Sequence, residues 1–399
     1  MSDWVTTNLG SLCSFRAGSA FPQVEQGSPG GSVPFIKVSD FSLPGNQKYV
    51  TVANNWLSEE QIARLRPVLA PKGASLFAKI GEGLKAERVR IATQPTAYDN
   101  NLMAATARPG MAEPGFLYFL LRYIGIAQFT EGTALPYLKQ SVLDAAMCRI
   151  PSRAEQRAIA EVLGALDDKI AANTKLAHTA DDLAVASFHH AARGAAYIGD
   201  TFADVAKVSG GGTPSTKVPE YWGGDIPWAT PTDITALVGP YLESTSRTIT
   251  EEGLGACSSE LFAPGAILMT SRATIGAFAV AQVPTAVNQG FIVVEPHDED
   301  LRYWILHDMR RRVDEFIAMA NGATFLELSR GNFKKFQVRL ADSEVMRSFG
   351  RQAATLHDSA RQALRENRAL AELRDTLLPE LMSGRLRVQD AHTAIADVS

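Results

Sequence analysis

Two hydrophobic rhythms alternate along this chain, and each occurs twice. Over residues 1–150 short apolar runs are interrupted by Gly, Pro, Asn and Asp. The runs at 33–38, 75–80 and 89–92 are predicted as strands, as are those at 266–270, 277–281 and 291–295 further on. Stretches 116–123 and 301–316 have the spacing of amphipathic helices. From Ala154 the pattern changes, with almost no Gly or Pro for 40 residues. Ile159, Leu163, Leu166, Ile170 and Asn173 follow at intervals of 4, 3, 4 and 3, and Leu356, Ala360, Ala363, Asn367 and Leu370 repeat those intervals. That is a coiled-coil seam, and an Asn in such a seam fixes register and partner. The two helices are therefore expected to pair antiparallel as a spacer. Gln156, Ile159, Leu163, Leu166, Ile170 and Asn173 on the first, with Leu356, Asn367, Leu370, Leu377 and Leu381 on the second, are the candidate subunit interface. Matching the two Asn residues implies four extra residues, about one turn, in the second helix. Gly194 and Gly384 are placed to end the helices.

The larger pattern is an internal repeat. Val33-Pro34-Phe35-Ile36-Lys37-Val38-Ser39-Asp40-Phe41 returns as Ile226-Pro227-Trp228-Ala229-Thr230-Pro231-Thr232-Asp233-Ile234. Leu9 and Ala17-Gly18 correspond to Phe202 and Gly210-Gly211 at the same offset. Pro71 to Phe77 resembles Pro264 to Met269, Ile80-Gly81 resembles Ile275-Gly276, and Asn100-Asn101 resembles Asn288-Gln289. Gly132 to Leu138 then lines up with Gly322 to Leu328. The order of landmarks is unbroken. Two copies that differ in detail suggest one molecule that reads two related targets.

The fold class expected is α/β. Two similar α/β domains, 1–150 and 196–340, are separated by a pair of long antiparallel coiled-coil helices, 151–195 and 341–388, with a pseudo-twofold internal repeat and a flexible tail at 389–399.

Composition narrows the function. Lys and Arg number 39 against 43 Asp and Glu, a net charge of −4, which argues against a surface that grips nucleic acid everywhere. The cations cluster, however: Arg66, Lys72, Lys79, Lys85, Arg88 and Arg90 in one stretch, and Arg330, Lys334, Lys335 and Arg339 in another. No stretch approaches the roughly 20 apolar residues of a membrane span, and Met1-Ser2-Asp3-Trp4 has no secretory pattern. The three cysteines, Cys13, Cys148 and Cys257, form neither a disulfide framework nor a metal pair. A cytoplasmic location is expected.

Several stretches resemble type I restriction–modification specificity subunits. Ile150-Pro151-Ser152-Arg153-Ala154-Glu155-Gln156-Arg157-Ala158-Ile159-Ala160, followed by Leu166-Asp167-Asp168-Lys169-Ile170, is similar to the central conserved region of that family. Leu373-Arg374-Asp375-Thr376-Leu377-Leu378-Pro379-Glu380-Leu381-Met382-Ser383-Gly384-Arg385-Leu386 is similar to the end of its distal region. Gly211-Gly212-Thr213-Pro214-Ser215 with Tyr221-Trp222-Gly223-Gly224-Asp225-Ile226-Pro227-Trp228 resembles the start of a target-recognition domain. The chain departs from the pattern in the distal copy, which has Ala341-Asp342-Ser343-Glu344-Val345-Met346. It departs again in the first domain, which has Ala17-Gly18-Ser19-Ala20-Phe21-Pro22.

The resemblance implies a non-catalytic DNA-recognition subunit of an adenine-N6 methyltransferase and type I endonuclease. Each domain would read half of a bipartite, asymmetric site in double-stranded DNA, and the helix pair would set the gap and dock two methyltransferase subunits. S-adenosylmethionine would bind those partners, and ATP and Mg the restriction subunits. This chain would hold no cofactor and no metal.

The chemistry visible in the sequence agrees. The loop 209–217 fails the P-loop pattern because Thr216 precedes Lys217, and no Pro-Pro dipeptide of an adenine methyltransferase occurs. His178, Asp181 and Asp182 share a helix face, better explained as solvated polar groups than as metal ligands. Major-groove reading needs donors and acceptors on loops. In the first domain the candidates are Lys37, Ser39, Lys79, Lys85, Arg88, Arg90, Asn100 and Asn101. In the second they are Gly211, Gly212, Thr213, Lys217, Thr230, Thr232, Ser271, Arg272, Asn288 and Gln289. Asp40 and Asp233 read as caps of local backbone, and Arg272 is the foremost candidate for a guanine or phosphate contact. The rival readings are a coiled-coil scaffold with duplicated domains and a fused methyltransferase or nuclease.

Overall fold

A computed structural model describes residues 4–43, 45–132, 135–322 and 326–391. The chain divides into two compact units, Met1–Lys175 with Glu366–Ser399, and Leu176–Arg365. The boundary falls inside both long helices, so each unit holds one α/β domain and a stretch of both helices.

In the first unit a five-stranded sheet runs in the order Cys13–Ala17, Leu102–Ala107, Ser75–Ala78, Val89–Ala92, Tyr49–Val50. All pairs are antiparallel except Tyr49–Val50 with Val89–Ala92. Ser75–Ala78 is buried on both faces, as a near-continuous apolar strand should be. Helix Pro114–Ile124, with Phe116 to Leu121 all buried, belongs to the same core. A four-stranded sheet pairs Val33–Ile36 parallel with Thr96–Tyr98, flanked by Asn55–Leu57 and Leu69–Ala70.

The second unit repeats this order: Ala206–Gly210, Phe291–Pro296, Ile267–Thr270, Phe278–Ala281, Tyr241–Leu242, again with only the last pair parallel. Trp222–Ala229 pairs parallel with Ala286–Val287, matching the first unit's parallel pair. The predicted strands are all present; that at 33–38 ends at Ile36 and turns into a 3-10 helix, Val38–Ser42. The predicted helix at 301–316 is two helices, Arg302–Arg311 and Val313–Ala318, broken where Arg312 leaves helical geometry (φ −109°, ψ 17°).

The structure differs from the expected repeat in three details. Leu102–Ala107 corresponds to Phe291–Pro296, so Asn288 matches Asp99, not Asn100, and Gln289 matches Asn100. Ile80 bridges Tyr137 as Arg272 bridges Glu327, so Ile80-Gly81 matches Arg272-Ala273 rather than Ile275-Gly276. The long helices, Arg153–Ala191 and Ser343–Ser383, begin 190 residues apart, the separation of Gly194 and Gly384. No extra turn is inserted, and the two seam Asn residues are not equivalent. In each case the backbone brings unlike residue types into register and leaves like ones out of it.

The helices pack antiparallel within each unit. In the first, Asp167 pairs with Arg374 at 2.8 Å, Thr174 with Asn367 at 3.0 Å and Asn173 with Glu366 at 2.8 Å. In the second, Phe188 meets Phe349 with ring centroids 5.4 Å apart, and Ala177 and Ala180 cluster with Ala360. This corrects the candidate subunit interface. Gln156, Ile159, Leu163, Leu166, Asn173, Leu377 and Leu381 are buried inside the chain, and Ile170, Leu356, Asn367 and Leu370 are half-buried. Gln156 accepts from the amide of Glu113 at 3.0 Å and donates to the carbonyl of Pro151 at 3.1 Å. These side chains join this chain's own elements, because hydrophobic seam positions bury against the nearest apolar surface. The central helix passes into a 3-10 turn, Ala192–Gly194, and Gly384 follows the distal helix at φ 77°. Residues 388–391 form a helical turn with Ala391 buried, so that part of the expected flexible tail is packed; 392–399 lie outside the described residues.

Candidate nucleic-acid interface

In the second unit, four segments converge at one end of the five-stranded sheet. Beyond Ile267–Thr270, the amide of Ser271 donates to Gly290 O at 2.8 Å, and Leu328 N donates to Ser271 O at 2.9 Å. Ala273 N donates to Leu326 O at 3.1 Å, with Ala273 in the left-handed region at φ 60°. Asn288 closes a local turn, its Oδ1 accepting from Gly290 N at 2.8 Å. The short helix Pro231–Thr235 is set by a capping box in which Asp233 Oδ2 accepts from Thr230 N at 2.8 Å and Thr230 Oγ1 at 2.6 Å. Burial works against ionised Asp233, but hydrogen bonds from Thr230 and Ser246 hold its carboxyl below the usual range. The result is a cleft of about 410 Å³ lined by Pro231, Thr232, Thr235, Arg272, Ala273, Thr274, Asn288, Gln289 and Gly290.

Four predicted residues, Thr232, Arg272, Asn288 and Gln289, therefore share one concave surface. Arg272 Nη2 donates to both carboxylate oxygens of Glu327 at 2.9 Å, and both side chains are about half exposed. Gln289 accepts from Thr213 Oγ1 at 2.5 Å.

The first unit builds the same frame from different groups. Lys79 N donates to Asn101 O, Leu138 N to Lys79 O and Gly81 N to Pro136 O, at 2.8–2.9 Å. Gly81 has φ 74° where Ala273 has φ 60°. Asp99 Oδ1 accepts from Asn101 N at 2.7 Å, as Asn288 does from Gly290. Asp40 Oδ2 caps Lys37 N at 2.7 Å, the counterpart of Asp233 and Thr230. Ser39, Ile80, Asp99 and Asn100 thus occupy the places of Thr232, Arg272, Asn288 and Gln289.

The sequence matches the type I restriction modification DNA specificity domain over residues 1–179 and 201–345. The chain belongs to this family. The chain is 34% identical over 172 residues to the type I restriction enzyme MjaIX specificity subunit of Methanocaldococcus jannaschii, covering 43% of this chain and 40% of that one. It is 24% identical over 186 residues to the HindI specificity subunit of Haemophilus influenzae, covering 46% and 40%. The aligned part thus spans well under half the length of these relatives. The crystal structure of a type I restriction–modification S subunit from M. genitalium shares the fold, with a TM-score of 0.64, 15% identity and 96% of each chain covered.

Other predicted residues lie elsewhere or serve the fold. Gly211 and Gly212 are buried. A Cβ on Gly211 would lie 1.9 Å from Val287 O, and one on Gly212 2.4 Å from Ser258 Oγ. Their missing side chains permit close backbone packing, and Gly212 N is bound to Val287 O at 3.0 Å, which corrects the reading of Gly211 and Gly212 as DNA contacts. Thr230 spends its hydroxyl on Asp233, which corrects its reading as a free contact. Arg90 packs inward: it donates to Val89 O and Phe41 O at 2.9 and 3.0 Å, and burial lowers its pKa to about 10, so it too is corrected to a structural role. Arg88 is bound to Ser42, Lys85 to Glu82 at 2.6 Å, and Lys37 to Gln26 at 2.8 Å. Ser39, Asn100, Asn101, Thr213 and Lys217 are exposed, and Lys79 and Ser271 carry the backbone bonds described above.

Sequence reasoning missed Glu327, whose importance appears only as the bridge partner of Arg272. It also missed Arg247, exposed and stacked over Trp222 at 3.6 Å from the ring centroid. The Trp-rich run was visible, but nothing local linked it to Arg247.

Proposed function

We propose that each α/β domain of this specificity protein reads one half of a bipartite, asymmetric site in double-stranded DNA through the major groove. Two DNA methyltransferase subunits that bind S-adenosylmethionine would dock on the chain and methylate adenine N6, with the helix pair setting the spacer between half-sites. Restriction subunits using ATP and Mg would complete the assembly. The observation that carries this reading is the pair of equivalent loop frames. Backbone bonds are kept between the two domains while the side chains change from Ser39, Ile80, Asp99 and Asn100 to Thr232, Arg272, Asn288 and Gln289. A frame held constant with altered donors and acceptors is what two different base sequences require. A module binding one protein partner twice would instead keep its surface groups.

The test is genome-wide adenine methylation in cells that carry the neighbouring methyltransferase gene, with and without this chain. A bipartite motif that depends on the chain is expected. No motif in cells where the complex assembles would refute the reading.

A further inference from the structure

The ladder position at the mouth of the second domain's cleft holds a charged pair, Arg272 and Glu327, and the equivalent position of the first domain holds Ile80 and Tyr137. The backbone of Glu327 is fixed on two sides. It exchanges hydrogen bonds with Asn321 at 2.9 and 3.0 Å, while its neighbours Leu326 and Leu328 accept from Ala273 and donate to Ser271. Arg272 is followed by Ala273 in the left-handed region, a conformation unusual for a residue with a Cβ and retained where the surroundings over-determine it. An exposed ion pair of this kind contributes little to stability. Two rigid backbones therefore present a pair whose worth to the fold is small, beside Thr232, Asn288 and Gln289.

Resting on the DNA-recognition reading above, we propose that Glu327 is a positioning residue that aims Arg272 at a guanine in the half-site of the second domain. Glu327 engages Nη2 of the guanidinium, leaving Nη1 and Nε, which lie on different edges of the group, each free to donate singly to guanine O6 or N7. The carboxylate does two things. It restricts a long side chain that would otherwise lose rotamer freedom on binding. It also offsets the positive charge, so that Arg272 is a poor grip for a phosphate and is selective for a base edge. In the first domain Ile80 supplies no donor at this place, so the two half-sites differ here by construction.

The experiment uses the full chain in the assembled methyltransferase complex. Methylation is read on a DNA library with both half-sites randomised. The wild type is expected to require guanine at one position of one half-site. Arg272→Ala should relax that position by about 10- to 100-fold. Glu327→Gln, which keeps the shape and removes the charge, should relax the same position by a smaller factor. The other half-site should be unchanged in both variants, and thermal unfolding should be close to wild type. A uniform loss across all positions in Arg272→Ala would identify a phosphate contact and overturn the proposal. So would an unaltered motif in Glu327→Gln, or a position that changes only in that variant, which would make Glu327 itself the reader. A wild-type complex that assembles and yields no motif would instead refute the DNA-recognition reading.

Discussion

His307 and His357 meet Nε2 to Nε2 at 3.1 Å in the buried interior of the second unit, and Tyr241 Oη lies 2.7 Å from His357 Nδ1. The equivalent place in the first unit holds Tyr118 and Asp167, at 3.5 Å, with Arg374 and Arg122 beside the carboxylate. Each pair ties an α/β domain to the long helices of its own unit, with different chemistry.

The histidine pair is expected to make the second unit acid-labile. Burial pushes His307 down to about 3 and His357 down to about 4, among Arg310, Asp181, Asp358, Tyr241 and Tyr303. Both folded values lie below the unfolded value of roughly 6.5. Below pH 6.5 the unfolded chain therefore takes up protons that the folded unit refuses. The stability is present above pH 6.5 and is lost progressively as pH falls toward 4. At pH 5 the loss is about 2 kcal/mol per imidazole. Thermal melting from pH 7.5 to 4.5 should show this decline, flattened in a His307→Gln, His357→Gln variant. An equally steep decline in that variant would place the acid lability elsewhere.

Gly18 and Gly211 are equivalent and equally intolerant. A Cβ would lie 2.2 Å from Tyr98 O in the first case and 1.9 Å from Val287 O in the second. Overpacking against backbone leaves no flexible side chain to yield. Gly18→Ala and Gly211→Ala are each expected to cost about 3 kcal/mol. Urea unfolding with a probe in each unit checks this: a variant with an unshifted midpoint would show that the strand can move aside.

The two carboxylates that Arg374 contacts, each at 2.8 Å, differ in worth. Asp167 is buried at 5% exposure, whereas Asp375 is 60% exposed. Asp167→Ala removes the shared partner of Arg374 and Arg122 from the interior and should cost about 3 kcal/mol. Asp375→Ala should stay within about 0.5 kcal/mol. Chemical denaturation of both variants decides this, and comparable losses would contradict it.

Thiol reactivity should be ordered. Burial pushes Cys13 up to about 12 and Cys148 up to about 11, whereas Cys257 is half-buried. In the native protein a disulfide reagent at pH 8 should label Cys257 first, and the other two only on unfolding. Early labelling of Cys13 at native conditions would mean that the first unit opens locally.

The strand at 89–92 and the long helices were legible from periodicity, because burial of one face imposes spacing on the sequence. The order of the repeat was legible for the same reason. The match of Ile80-Gly81 to Ile275-Gly276 went astray because residue likeness is a poor guide in loops. There the backbone aligns Gly81 with Ala273, alike in φ and unlike in side chain. Local reading placed Thr232, Arg272, Asn288 and Gln289 among the candidates, but it could not gather them or exclude Arg90, Gly211 and Gly212.

The sequence by itself determined the elements, the duplication and the family, since these rest on periodicity and on runs of residues adjacent in the chain. Only the tertiary structure decided which polar groups reach a shared surface. Arg272 and Glu327 are 55 residues apart, and their meeting depends on strand register and on where each chain segment returns.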